Sequence, residues 1–164
     1  MLPTDAGMHG LWDPHSFADV CTRARWEARF MENSSIERSI ANGSFVPIYV
    51  HTDGSPMIEV RTGLGGAAAA LTPIEQDRVV RTSRPYLFRS QGLLSLSGIE
   101  YISGMQDAAS RTIALAPGKW TVRIMDLRAD VPGQDPETVP DFVALINPES
   151  IGAVDYARSV ETFD

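Results

Sequence analysis

Residues 23–30 read Arg-Ala-Arg-Trp-Glu-Ala-Arg-Phe, and their alternation constrains the fold more than any other stretch of the chain. Ala24, Trp26, Ala28 and Phe30 share one parity, while Arg23, Arg25, Glu27 and Arg29 share the other. Successive strand side chains point to opposite faces, so the octet predicts a strand with one buried and one charged face. Wound as a helix it would scatter its aromatics and charges around the axis. The protein is therefore expected to be mainly β.

The remaining segments extend that expectation. The first 20 residues, rich in His, Pro, Gly and Asp, read as an irregular wrap with at most a short strand. Ser34-x-x-Glu37 has capping-box spacing ahead of a short helix over 36–41, and Asn42-Gly43 supplies its stop. Phe45–His51 and Pro56–Thr62 flank Asp53-Gly54 as a hairpin, with Pro47 marking a free edge because it cannot donate to a ladder. Thr72-Pro73-Ile74-Glu75 starts a second helix, running to about Val80. Two further hairpins are expected, turning at Ser90-Gln91-Gly92 and at Ala116-Pro117-Gly118, before a closing strand at Asp141–Asn147. Together these predict an antiparallel β-sandwich of about eight strands with two short helices, a partly open barrel being the alternative.

Length and composition fit one domain over 1–164 that builds its own core. Cys21 is the sole cysteine, which excludes an internal disulfide or a zinc–cysteine cluster. Met1–Gly10 lacks the basic start and apolar run of a secretory signal, and no stretch approaches the roughly 20 apolar residues of a membrane helix. A cytoplasmic protein without a cofactor is expected. The net charge of −7 is uneven: residues 1–125 carry 12 basic and 12 acidic residues, and residues 126–164 carry 2 and 9. This acidic flank, ending in a solvated tail over 149–164, disfavours nucleic acid and anionic membrane and suits a basic protein partner.

Several constellations carry chemistry in principle. Gly63-Leu-Gly65-Gly-Ala-Ala68 formally matches a dinucleotide-binding turn, but its helix would start too late to meet a pyrophosphate. His9 and His15 with Asp13 form a weak alternative metal set, although none of their spacings puts two ligands on one helix face. Cys21 needs an adjacent base to act as a nucleophile. Glu59, Glu100 and Asp126 fall in or beside strands, where paired carboxylates serve glycoside chemistry. Arg23, Arg25 and Arg29 would line one strand face, and Arg78, Arg81, Arg84 and Arg89 form a second basic group. Convergence of the two would create a basic patch opposite the acidic third. Trp26 and Trp120 read as core anchors, and Trp12 as an end cap.

Gly98–Ile102, Thr112–Ile124 with its Pro117-Gly118 turn and Trp120, and Asp141–Pro148 resemble the C-terminal part of small bacterial β-sandwich domains. These include the competence-protein-J type of nuclease inhibitor and immunity-like proteins of toxin systems. The resemblance covers about 50 residues, implies a structural role for the turn and the tryptophan, and implies a non-enzymatic bacterial protein-binding module. In that reading Asp130, Asp135, Glu137 and Asp141 steer a basic partner, with Arg23, Arg25 and Arg29 as a further contact surface. The alternative is a small metal- or ligand-binding enzyme built on the N-terminal His/Asp segment. A homodimer through the Pro47 edge is compatible with either.

Overall fold

The computed structural model of the chain describes residues 2–50, 53–63, 65–104, 109–127, 139–149 and 152–161. Among them are seven strands: β1 (Met8–Trp12), β2 (Phe45–Tyr49), β3 (Ile58–Thr62), β4 (Val79–Thr82), β5 (Tyr86–Gly98), β6 (Arg111–Leu127) and β7 (Phe142–Pro148). Three helices, α1 (Arg23–Phe30), α2 (Asn33–Ala41) and α3 (Pro73–Gln76), and 3-10 turns at Pro14–Phe17 and Ile99–Tyr101 complete the set. The strands form one open sheet in the order β2-β1-β5-β6-β7-β3, with β4 also paired to β6. Only β3–β7 is a parallel pair; the other pairs are antiparallel.

The mainly β expectation holds, but the sheet is a single open one rather than an eight-stranded sandwich. Two predicted turns explain much of the difference. Ser90-Gln91-Gly92 and Ala116-Pro117-Gly118 do not reverse the chain. They face each other as an irregularity inside two long strands, with Ser90 opposite Gly118 and Gly92 opposite Leu115. Gly92 (φ +123°) and Gly118 (φ +144°) supply backbone conformations that other residues rarely adopt. Glycine here bends a ladder instead of ending it.

The hairpin around Asp53-Gly54 is also absent. β2 pairs with β1, while β3 lies at the far end of the sheet beside β7. The segment expected to wrap the surface thus supplies β1, which sits between β2 and β5. β2 is the terminal strand, as Pro47 anticipates, and Pro47 pairs there with Gly10. Gly10 is required by packing, since a Cβ at that position would collide with the Phe45 ring.

The octet is the main correction: residues 23–30 form α1, not a strand. Thr22 caps it, its Oγ1 accepting from the Arg25 N–H at 3.3 Å. Trp26 and Phe30 are four residues apart and share a helical face, as do Arg23 and Glu27, which form an ion pair at 2.8 Å. Arg25 and Arg29 repeat the spacing and both reach Asp19 at 3.4 Å. The octet contains no β-branched residue to favour a strand.

Helix α2 begins at Asn33 after Glu32, and no side-chain cap forms, so the Ser34/Glu37 capping box is not made. Its stop is as expected, with Gly43 at φ +81°. At α3 the Thr72/Glu75 capping box is present in full, although the helix ends at Gln76 and Val79–Thr82 continue as β4.

The larger core joins Phe17 and Phe30 from the helical side to strand residues such as Leu11, Phe45, Phe88, Val122 and Ile146. A smaller aliphatic cluster of Met125, Leu127, Val139, Val143 and Leu145 packs with Ala69, Leu71 and Val79. Trp12 is buried in β1, donating to Ser97 Oγ at 3.1 Å, and is a core residue rather than an end cap. Trp120 is buried, whereas Trp26 is only half-buried.

The described part of the acidic tail is held against the fold. Ala157 donates to the Pro85 carbonyl, Glu161 pairs with Arg84 at 2.9 Å, and the Tyr86 hydroxyl donates to the Ser159 carbonyl. Burial raises the Tyr86 phenol well above its ordinary range, keeping it a neutral donor there.

Candidate ligand-binding site

The N-terminal turn of α1 and the segment after β5 border an open, cleft-like cavity of about 440 Å³. Val20, Trp26 and Ile102 supply its apolar walls, and Thr22, Ser103, Cys21, Arg23 and Glu100 supply its polar groups. The backbone fixes the two sides together: the Gly104 N–H donates to the Val20 carbonyl at 2.8 Å. A Cβ on Gly104 would collide with the Ala18 carbonyl, so glycine permits this approach.

Trp26 is immobilised by its own polar edge. Its indole N–H donates to the Ile99 carbonyl at 2.9 Å, across from α1 to the 3-10 turn after β5. The ring also packs on Phe30, with centroids 5.7 Å apart. A tryptophan held at both edge and face is a rigid wall for an apolar ligand.

Glu100 links the cavity to the N-terminal strap. Its Oε1 accepts from the Asp5 N–H at 2.7 Å and its Oε2 from the Thr4 hydroxyl at 3.1 Å. Thr4 in turn bridges to Gly54 through paired backbone hydrogen bonds. His9, fully buried on β1, holds the strap from beneath: its Nε2 lies 2.9 Å from the Leu2 carbonyl. That contact puts the proton on Nε2 and leaves Nδ1 as a buried acceptor with no partner. Burial lowers the His9 pKa, against smaller raising effects from the Leu2 carbonyl and Glu100.

The other residues singled out from sequence are dispersed. His15 lies 3.3 Å from Asp13 and is exposed, whereas His9 is buried and bonded to Leu2, so the pair does not share Asp13 as a ligand set. No group of three His, Cys, Asp or Glu side chains able to hold a metal ion occurs among the described residues. Asp13 instead caps the 3-10 turn at Pro14–Phe17 and also accepts from Ser16 and Gln91.

Asp130, Asp135 and Glu137 lie outside the described residues. Asp141 accepts from the Met57 N–H at 2.7 Å and ties the start of β3 to β7, a structural task distinct from steering a partner. Glu59 pairs with Arg61, away from the strap bonds of Glu100. Gly63 faces Asn147, whose side chain exchanges hydrogen bonds with Ala69 at 2.7 and 3.2 Å. The glycine-rich stretch is thereby anchored to β7. Arg23 lines the cavity, Arg25 turns to Asp19, and Arg29 leans on the Phe17 ring at 6.0 Å.

Sequence reasoning assigned Trp26 to the core. The usable signal was helical: Thr22 as cap, then Trp26 four residues before Phe30. That period would have turned Trp26 and Cys21 toward a helix end.

No family model matches the chain, and no curated protein matches it in sequence. A solved structure described as crocagin biosynthetic gene J is similar in fold, with a TM-score of 0.56 and 11% identity over 91% of this chain and 94% of that one. At that identity the likeness concerns the fold alone. No helix among the described residues is long and apolar enough to cross a membrane.

Proposed function

We propose that this protein is a non-enzymatic binding protein whose cavity beside α1 takes a small organic molecule with an apolar, ring-sized body. The observation that carries this reading is Trp26, fixed through Ile99 as one wall of a 440 Å³ cavity. That volume lies within the range of about 300–1,000 Å³ typical of small-molecule sites. Arg23 and Glu100 bring opposite charges to the same cavity and give a ligand polar ends to recognise.

The chemistry supports binding over catalysis. Cys21 lines the cavity, but no histidine among the described residues does, and both Glu100 oxygens already accept hydrogen bonds from the strap. The basic-partner reading rests on Asp141, which is engaged with Met57, and on three acids outside the described residues. The cavity is accordingly the better-supported contact surface.

Titration with the neutral fluorophore N-phenyl-1-naphthylamine tests the reading. Saturable enhancement that is lost in Trp26→Ala, with the fold retained by circular dichroism, is the expected result. Absence of saturation, or an unchanged curve in Trp26→Ala, overturns it. A basic protein retained from lysate at low salt, released at high salt and indifferent to Trp26→Ala would transfer the function to the acidic flank.

A further inference from the structure

The C-terminal part of α1 borders a second cavity, of about 390 Å³, lined by Ser16, Arg29, Asn42, Ser44, Arg89 and Gln91. Each of these six residues carries a polar or charged side chain. Here one member of each basic group found in the sequence, Arg29 and Arg89, meets the other. We propose that this cavity is an oxyanion site, which binds a carboxylate or phosphate group carried on a polar small molecule.

Arg89 carries the argument. Arg61, Arg84 and Arg23 each have a carboxylate within 3 Å, whereas the Arg89 guanidinium has no hydrogen-bond or ion-pair partner among the described residues. Arg89 is exposed, but its backbone and the base of its side chain are held. The Arg89 N–H donates to the Gly43 carbonyl at 2.7 Å, and its stem lies so close to Gly43 that a Cβ there would sit 3.0 Å from Arg89 Cγ. The Arg89 guanidinium keeps a planar fork of donors for a ligand, and Arg29, held by Asp19 only at 3.4 Å, brings a second guanidinium to the same cavity.

The neighbours leave donors free and keep negative charge back. Asn42 accepts from the Ser44 N–H through Oδ1 at 2.9 Å, which leaves its amide nitrogen available. Asp13 is fully buried, and its oxygens accept from His15, Ser16 and Gln91. It thereby orients Ser16 and Gln91 along the cavity edge. Asp19 is shared between Arg25 and Arg29 at 3.4 Å, long for a pair of this kind, so a ligand anion can recruit Arg29.

The test is an amide-resolved NMR titration at constant ionic strength, with inorganic phosphate in one arm, citrate in the other and chloride as the balancing anion. Saturable shifts at Gly43, Ser44, Arg89 and Gln91 are expected in at least one arm, and the arm that saturates identifies the group. Arg89→Gln should weaken binding about tenfold or more, while Arg123→Gln, an exposed site on β6, should not change it. Asn42→Asp retains the acceptor for Ser44 and places a negative charge in the cavity, so it should abolish binding even if Arg89→Gln perturbs the fold. Shifts that fail to saturate in both arms, or affinity unchanged in both variants, overturn the proposal. The site is independent of the apolar cavity, so Trp26→Ala should leave this titration intact.

Discussion

The sheet is covered at two corners by different means. At the helical corner, α1, α2 and the Pro14–Phe17 turn bring rings together: Phe17 on Phe30 at 5.5 Å, Phe30 on Phe45 at 5.8 Å and Trp12 on Phe17 at 6.0 Å. At the other corner, aliphatic side chains around Val143 pack with Ala69, Leu71 and Val79 from the segments flanking α3, and polar clasps close the edge. Arg61 grips Glu75 with two bonds of 2.6 and 2.7 Å, and the same carboxylate accepts from the Thr72 N–H and hydroxyl. Rigid rings meeting at angles leave space along a short charged helix, and cavities flank both of its ends. Small aliphatics sealed by an ion pair have no such geometric need. The proposed binding sites both lie at the aromatic corner, whereas the clasped corner is closed by an ion pair.

The largest effect should come from emptying the aromatic corner. Phe45 is fully buried and fills the place a Gly10 side chain would take, so Phe45→Ala should cost about 3–5 kcal/mol. Val143→Ala, equally buried at the clasped corner, removes less volume and should cost about 2 kcal/mol. Urea denaturation measures both. Equal losses would break the contrast between the corners.

The clasp comes next. Hydrogen bonding from Arg61, reinforced by Thr72, holds the Glu75 carboxyl down at about 2 against the cost of burial. A depressed carboxyl contributes stability that is fully present above its unfolded value near 4.5 and is lost as pH falls toward about 2. Glu75→Gln should therefore cost on the order of 2 kcal/mol at pH 7 and much less near pH 2. A cost that does not shrink with acid would show that the clasp acts by shape and not by charge.

These corners also explain what the sequence made legible. The Thr72/Glu75 box was readable because both partners lie within one turn, and the Gly43 stop because it acts locally. β7 was readable because Phe142–Ile146 is a continuous apolar run, as expected of a strand covered on both faces. The octet misled because its short-range alternation coexists with four-residue pairs, Trp26 with Phe30 and Arg23 with Glu27, and eight residues fit both periods. The glycines at 92 and 118 were read as turns because a lone strand cannot show that its neighbour bends at the same place. The cavities were least visible. They depend on Trp26 meeting Ile99 and on Arg29 and Arg89 lining one cavity, juxtapositions of residues about 60 or more positions apart that no spacing rule reports.

The N-terminal strap supplies a smaller, pH-dependent effect. A base whose folded pKa is lowered binds fewer protons in the folded state, so His9 stabilises fully above its unfolded value of 6.5. That contribution is lost as pH falls below 6.5, whereas the Glu75 clasp weakens only below about 4.5. Stability measured from pH 7.5 to 5.5 should decline in the parent protein and stay flatter in His9→Gln. Identical slopes would remove the strap from the account.

The smallest expected effect separates two helix starts within the helical corner. Thr22 caps α1 through its hydroxyl, whereas Ser34, inside α2, makes no cap. Thr22→Ala should cost about 1 kcal/mol, and Ser34→Ala should stay within about 0.5 kcal/mol. The same substitution has a further consequence at Thr22, because α1 carries Trp26 at one cavity and Arg29 at the other. Fraying its first turn loosens the Trp26 wall before it reaches Arg29, so Thr22→Ala should weaken naphthylamine binding more than oxyanion binding. Equal weakening of both would mean that α1 moves as one rigid piece and that the two cavities open together.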